Sequence, residues 1–244
     1  MQLFIDSKQL TKNLLQLTTE QHHYLFRVMR IQVSDTVSFV IDKQKRIHAK
    51  IVDIKDLGVT ITILDQENYH MKTSLSITLV QACPKQDKLS DVINHVTQCG
   101  VTHIMPIITE RTIVHYNEAQ AKKKHIRWQK VAESAANQTG LLECPQIEPV
   151  CTFKQFLSNF DSNAYDLCLV AWEQSTVSLK RILNDKEGVK TCLIVIGPEG
   201  GLSENEVHLL QAAGIQSISL GDTIYRTELA AAIFAAQVGF FFTD

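Results

Sequence analysis

Apolar and polar positions change their rhythm along the 244 residues of the chain. Between residues 36 and 64 three short runs, DTVSFVID, RIHAKIVDI and GVTITILD, are rich in β-branched residues and separated by polar or glycine turns. They predict a small antiparallel sheet or barrel. Ahead of them Thr18 and Gln21 have the spacing of a reciprocal cap and predict a helix through QHHYLFRVMR. The stretch DQENYHMKTS, residues 65 to 74, is polar and aperiodic. It predicts a domain boundary near residue 72, giving a β-rich domain over 1–72 and a second domain over 73–244.

Beyond that point strands alternate with helices. Strands are expected in SLSITLVQACP, VTHIMPIIT, YDLCLVAW, KTCLIVIG and QSISLG. Helices are expected in KLSDVINHVTQCG, from Glu118 to Asn137 with Gly140 closing it, in TFKQFLSNF, SLKRILND and SENEVHLLQAAG, and from Arg226 onward. Runs such as CLIVIG are apolar without alternation, which suits a parallel sheet covered on both faces. The second domain is therefore expected to be α/β.

Composition changes this picture little: 45% hydrophobic and 20% charged residues can bury cores without disulfide staples. The six cysteines, Cys83, Cys99, Cys144, Cys151, Cys168 and Cys192, include no Cys-x-x-Cys pair. Zinc-ribbon and thioredoxin-like readings lose their support, and reduced, mostly buried thiols are expected. The opening MQLFIDSKQL carries Asp6 and no long apolar run, and no later run has the length of a membrane span. A cytoplasmic protein without a membrane partner is expected.

Charge matters more. A formal net charge of −2 and a sequence pI of about 6.5 exclude a bulk basic footprint, so any nucleic-acid site has to be a local patch. Arg27 and Arg30, three apart on the first helix, are expected to share a face, with Lys43, Lys45 and Arg46 in a turn between strands. Lys122, Lys123, Lys124, Arg127 and Lys130 form a second basic group, for which a solvated helix face is the plainer account. His22 and His23 point apart on a helix with no acid or cysteine beside them, so no metal is expected.

Two segments carry the chemistry. In LIVIGPEGGLSENEV, residues 193 to 207, a buried strand runs through Gly197-Pro198-Glu199-Gly200-Gly201 into a helix capped by Ser203 and Glu206. The glycines let a backbone approach a ligand closely. Neither phosphate-loop spacing is present, and Glu199 disfavours a phosphate, so a cationic or amine-bearing ligand fits better. The segment SISLGDTIYRTELAAAIFAAQ, residues 217 to 237, repeats the strand, glycine turn and helix, with Arg226-Thr227-Glu228 at the entry to a helix of small residues. Either turn could also be mere punctuation, with Thr227 a cap and Glu228 at the positive end of the helix.

Together GPEGGLSENEV and SLGDTIYRTELAA resemble the knotted-fold (SPOUT) methyltransferases, specifically the family that methylates N3 of a uridine in small-subunit (16S) ribosomal RNA. Lys88 in KLSDVINHVTQCGV, PIITERTIV at 106 to 114 and RWQKVAESAANQTG at 127 to 140 extend the resemblance over nearly the whole chain. It implies a C-terminal α/β parallel-sheet domain tied in a trefoil knot, a small PUA-like N-terminal β-barrel that binds RNA, S-adenosyl-L-methionine as cofactor, and a homodimer. Its partner would be small-subunit ribosomal RNA or the assembled small subunit, with no metal. By the same resemblance the cofactor pocket would include Val170 and Ala171, the turn of Ile196, Gly197, Pro198, Glu199, Gly200 and Gly201, and the segment of Leu220, Gly221, Ile224, Tyr225, Arg226, Thr227, Glu228 and Ala230. This chain departs from the family pattern at Gln98-Cys99-Gly100, at Leu141 and at Leu229.

Uracil N3 must lose a proton around the time it attacks, and a nearby cation would stabilise the imide anion. Arg226 is expected to supply it, with Glu199 or Glu228 orienting groups or the cofactor; the sequence identifies no general base. Ribose 2′-O methylation goes with different turns from the Gly197-Pro198-Glu199 and Ser219-Leu220-Gly221 found here. A non-catalytic RNA-binding assembly factor and an enzyme of small-molecule metabolism remain alternatives, separated by cofactor binding and by RNA affinity.

Overall fold

The computed structural model describes residues 2–42, 44–68 and 75–242. Lys43 and the boundary expected near residue 72 lie outside the described residues. These form two compact units, residues 2–68 with 136–143, and residues 75–135 with 144–242.

In the first unit the elements are β1 (Gln2–Ile5), β2 (Leu10–Thr11), β3 (Leu14–Gln16), α1 (Thr19–His23), β4 (Thr36–Ile41), β5 (Lys45–Lys55) and β6 (Gly58–Asn68). They make a six-stranded sheet in the order β1-β4-β5-β6-β3-β2. The alternation that predicted β4, β5 and β6 has a direct cause. Val37, Phe39, Ile47, Ala49, Ile51, Val59 and Ile61 all point into one core, where Leu3, Ile5, Leu15 and Leu25 join them. One pairing departs from the antiparallel expectation: β1 lies parallel to β4. The chain between them carries a hairpin and a helix, long enough for the crossover that parallel pairing needs. The polar stretch from residue 65 was expected to be loop, yet β6 pairs through Asn68 with Lys45. Residues 62–68 of β6 are exposed, so no alternation marks them as strand.

The cap on α1 is the expected reciprocal one. Thr18 Oγ1 accepts from the Gln21 N–H at 3.2 Å, and Gln21 Oε1 accepts from the Thr18 N–H at 2.9 Å. The helix then widens into a π-turn over Tyr24–Val28, in which the Met29 N–H reaches the Tyr24 carbonyl. Arg30 ends it with φ of 56°, so Arg27 and Arg30 do not share the helical face expected of them. With no glycine to stop the helix, a wider turn and one left-handed residue do so, and the Ile31 N–H closes on the Leu25 carbonyl.

Arg46 is tied down within this unit. Its guanidinium donates to Glu67 Oε1 at 3.0 Å, to Gln2 Oε1 at 3.2 Å and to the Gly140 carbonyl at 2.6 Å. A lysine cannot reproduce such a fork. Arg46→Lys is therefore expected to destabilise the protein by about 1–3 kcal/mol, read from chemical unfolding, because it leaves several acceptors without donors.

The second unit contains β7 (Ser76–Ala82), α2 (Lys88–Gln98), β8 (Val101–Ile108), α3 (Glu118–Thr139) up to residue 135, β9 (Gln146–Ile147), β10 (Cys151–Thr152), α4 (Phe153–Asn159), β11 (Leu167–Ala171), α5 (Leu179–Asn184), β12 (Thr191–Ile196), α6 (Glu204–Ala212), β13 (Gln216–Ile218) and α7 (Thr227–Phe242). The sheet order is β10-β8-β7-β12-β11-β13, with β9 also on β8, and every pairing is parallel. β12 shows why its sequence reads as an unbroken apolar run. Cys192, Ile194 and Ile196 face one core with α2 and α7, while Leu193 and Val195 face a second core with α4 and α6. Both faces are covered, as expected of a parallel sheet.

Along α2, Leu89, Val92, Ile93, Val96 and Thr97 are buried, one stripe at helical spacing. On α7 alanines 230, 231 and 235 and Phe234 are buried, which lets that helix lie close against α2, β7 and β12. All six cysteines are free thiols, with Cys83, Cys168 and Cys192 buried. Burial pushes the Cys83 and Cys192 thiols up to about 12 and Cys168 to about 11, which leaves them protonated and inert. Among the described residues no helix is long and apolar enough to cross a membrane.

Candidate functional site

A cleft of about 1020 Å³ opens at the carboxyl ends of the adjacent strands β7, β12, β11 and β13. Parallel sheets present ligand sites at this end because the loops leaving neighbouring strands diverge there. Lys85 and Lys88 follow β7, Trp172, Glu173 and Ser175 follow β11, the glycine turn follows β12, and residues 219–227 follow β13.

The glycine turn is tight. The Gly201 N–H donates to the Pro198 carbonyl at 2.9 Å, and Gly201 adopts φ of 69°. A side chain at Gly197 would place its Cβ 3.0 Å from the Leu202 nitrogen. Beyond the turn, Ser203 caps α6 and the buried Glu206 accepts from the Ser203 N–H at 3.0 Å and the Glu110 N–H at 2.8 Å. Arg111 donates to the Gly200 carbonyl at 2.9 Å. The loop after β8 thus braces the turn from outside.

Two layers join the glycine turn to the start of α7. In the deeper one, the Thr227 hydroxyl donates to the Gly197 carbonyl at 2.6 Å. In the outer one, Lys88 Nζ lies 3.2 Å from Glu228 Oε1 and 3.8 Å from Glu199 Oε1. Both Glu199 oxygens also accept from the Lys85 N–H at 3.2 Å. The charge that argued against a phosphate at Glu199 is therefore partly balanced inside the protein.

Burial raises the energy of the Glu228 carboxylate, but its own backbone N–H, the hydrogen bond and charge of Lys88, and Arg226 outweigh that and hold its pKa below the ordinary 4.5. A depressed pKa means that this stabilisation is complete above the ordinary value and is lost as pH falls through the folded one. Glu228→Gln is accordingly expected to lower the thermal midpoint by a few degrees at neutral pH, with the difference vanishing well below pH 4.5.

Of the positions the resemblance pointed to, Ala171, Ile196 to Gly201, Leu220, Gly221, Ile224 to Thr227 and Ala230 line this cleft. Val170 does not; it is fully buried in the sheet between Val195 and Ser217. Glu228 stands behind the lining, on Lys88. Sequence reasoning missed Lys85, Trp172, Glu173, Ser175, Leu202, Ser219, Asp222 and Thr223 as lining residues and gave Lys88 no role. All lie within six residues of the carboxyl end of β7, β11, β12 or β13, and that placement was the available signal.

In the first unit Arg27 and Arg30 are exposed, whereas Lys45 and Arg46 are partly buried. On α3, Lys124 and Arg127 pair with Asp87, Lys124 at 2.8 Å, so part of the basic run is neutralised locally. Among the described residues no group of three or more histidines, cysteines, aspartates or glutamates gathers to hold a metal.

A family model described as an RNA methyltransferase domain matches residues 71–239, and one described as an RNA methyltransferase PUA domain matches residues 17–64. The class that fold and cleft define is that of the RNA methyltransferases. The chain is 31% identical over 239 residues to ribosomal RNA small subunit methyltransferase E of Rickettsia conorii, covering 97% of this chain and 93% of the relative. It is 29% identical over 219 residues to the protein of that name from Bacillus subtilis, covering 88% and 85%. The chain belongs to the ribosomal RNA small subunit methyltransferase E family. The crystal structure of a ribosomal RNA small subunit methyltransferase E from Neisseria gonorrhoeae bound to S-adenosyl methionine shares the fold, with a TM-score of 0.85 at 24% identity over 99% of this chain and 97% of that one. So does a putative methyltransferase from Legionella pneumophila in complex with the same cofactor, with a TM-score of 0.85 at 24% identity over 97% and 96%.

Proposed function

We propose that this protein transfers a methyl group from S-adenosylmethionine to N3 of a uridine in small-subunit ribosomal RNA. The observation that carries the reading is the cleft itself, in which the glycine turn after β12 and the segment after β13 face one another. The residues present fit the cofactor. The volume suits a nucleoside with an amino-acid arm, the glycines bring backbone groups to its surface, and Glu173 and Glu199 place negative charge near a sulfonium or ammonium. Ala171, Ile196 to Gly201, Leu220, Gly221, Ile224, Tyr225, Thr227 and Ala230 would hold it, with Arg226 at the lip facing the acceptor and Val170 and Glu228 supporting them from behind.

The cofactor supplies an electrophilic methyl on sulfur. The protein's contribution is to align the acceptor and to stabilise charge on it. Arg226 suits the second of these roles. Its carbonyl accepts from the Leu229 and Ala230 N–H groups, which fixes its backbone, while the residue is exposed at the lip of the cleft. A guanidinium there would stabilise the anion that spreads over O2, N3 and O4 of uracil as N3–H ionises.

The first unit we assign to RNA binding, through Arg27, Arg30 and Lys45; Arg46 has a structural duty instead. The two-domain reading, a knotted second domain and a cytoplasmic location belong to the same proposal. So does a homodimer. Leu229, Ile233, Ala236 and Phe240 form one stripe of α7; Leu229 is 50% exposed and Phe240 88% exposed. An apolar stripe of this kind suits a second copy better than water. The test is incubation with labelled S-adenosylmethionine and with small subunits, large subunits or transfer RNA. Label confined to small-subunit RNA is expected; label on another RNA, or none, rejects the substrate assignment.

A further inference from the structure

Gln81, near the carboxyl end of β7, is fully buried and does not line the cleft. It lies in register with Ile196, the residue before Gly197. Its side-chain nitrogen donates to the Ala82 carbonyl at 2.9 Å and to Thr227 Oγ1 at 3.0 Å. The single Thr227 hydroxyl proton goes to the Gly197 carbonyl at 2.6 Å. Thr227 therefore receives from Gln81 and gives to Gly197. With two acceptors around it, the amide nitrogen has only one admissible orientation.

That orientation leaves Gln81 Oε1 buried with no hydrogen-bond partner among the described residues. A buried acceptor left unpaired is destabilising; a methionine would fill the same volume without it, but would leave the Ala82 carbonyl and Thr227 Oγ1 without this donor. What the glutamine contributes here is therefore what its N–H groups hold. They hold Thr227, and through it the first residue of the glycine turn.

We propose that Gln81 is a positioning residue that fixes the spacing between the glycine turn at Gly197 and the start of α7 at Thr227, and so sets the shape of the cofactor cleft from beneath. This rests on the S-adenosylmethionine reading above. The chain of bonds Gln81 to Thr227 to Gly197 acts as a unit, so removing either donor should open the same gap.

The experiment compares the full-length protein with Gln81→Met, Thr227→Val and the double variant. Circular dichroism and thermal unfolding monitor the fold, calorimetry measures S-adenosylmethionine affinity, and hydrogen exchange follows peptides spanning 197–202 and 221–228. Gln81→Met is expected to stay folded with at most a modestly lower thermal midpoint, to weaken S-adenosylmethionine about tenfold, and to lose protection in both turns. The double variant should bind no more weakly than the worse single one, because coupled residues are not additive. Wild-type affinity in Gln81→Met, or a double effect equal to the product of the singles, overturns the inference. If the wild type itself binds no S-adenosylmethionine, the functional reading fails and exchange decides alone: faster exchange in both turns supports the strut, and unchanged protection in Gln81→Met overturns it.

Discussion

Gly197→Ala should abolish methyl transfer and weaken S-adenosylmethionine at least about 100-fold by calorimetry, roughly 2.7 kcal/mol of binding energy. The new Cβ would lie 3.0 Å from the Leu202 nitrogen and 3.2 Å from the Gly201 carbonyl carbon. These are backbone atoms of a turn closed by the Gly201 N–H on the Pro198 carbonyl, and Leu202 is buried, so neither neighbour can swing aside. Relief has to come from opening the turn. Opening it pulls the Gly197 carbonyl from Thr227 and separates the two walls of the cleft. The core lies below the turn, so the variant should remain folded with a lower thermal midpoint. Affinity within about threefold of wild type would show that the turn does not set the binding geometry.

Arg226→Ala should divide the loss differently. Arg226 is exposed, and its role in the fold is carried by its carbonyl, which any residue retains. Stability and cofactor affinity should therefore stay near wild type while kcat falls about 10²–10³-fold, the scale on which a single charge-stabilising donor acts. Because the stabilised anion forms only as N3–H ionises, raising the pH should recover part of the lost rate. A variant with wild-type kcat, or one whose loss lies wholly in KM for the cofactor, removes Arg226 from the chemistry.

How legible this was differs between the two units for physical reasons. CLIVIG and YDLCLVAW read as buried parallel strands because helices cover both faces, and the helix after CLIVIG announced itself through Ser203 with Glu206. β1, β2 and β3 were invisible because two to four residues carry no period, and the tail of β6 because its exposed side chains need not alternate. The π-turn that separates Arg27 from Arg30 leaves no mark in spacing, since it follows from how the helix ends.

The cleft was legible where glycines and a motif coincide, from Gly197 to Gly201, at Leu220 and Gly221, and from Ile224 to Thr227. Other parts depended on partners distant in sequence. Lys88 meets Glu228 across 140 positions, and Gln81 meets Thr227 across 146. No local pattern could have joined them. The same holds for Arg46, expected in a basic turn that suggested RNA, whereas it lies in β5 with its guanidinium held by Glu67, Gln2 and Gly140.

The most direct test of the central claim uses small ribosomal subunits from cells lacking this protein. They are incubated with the purified protein and labelled S-adenosylmethionine, and the RNA is digested to nucleosides and resolved by mass spectrometry. Labelled 3-methyluridine, absent when Gly197→Ala replaces the wild type, is the predicted result. A 2′-O-methylated nucleoside, a methylated base other than uracil, or no labelled nucleoside would contradict it.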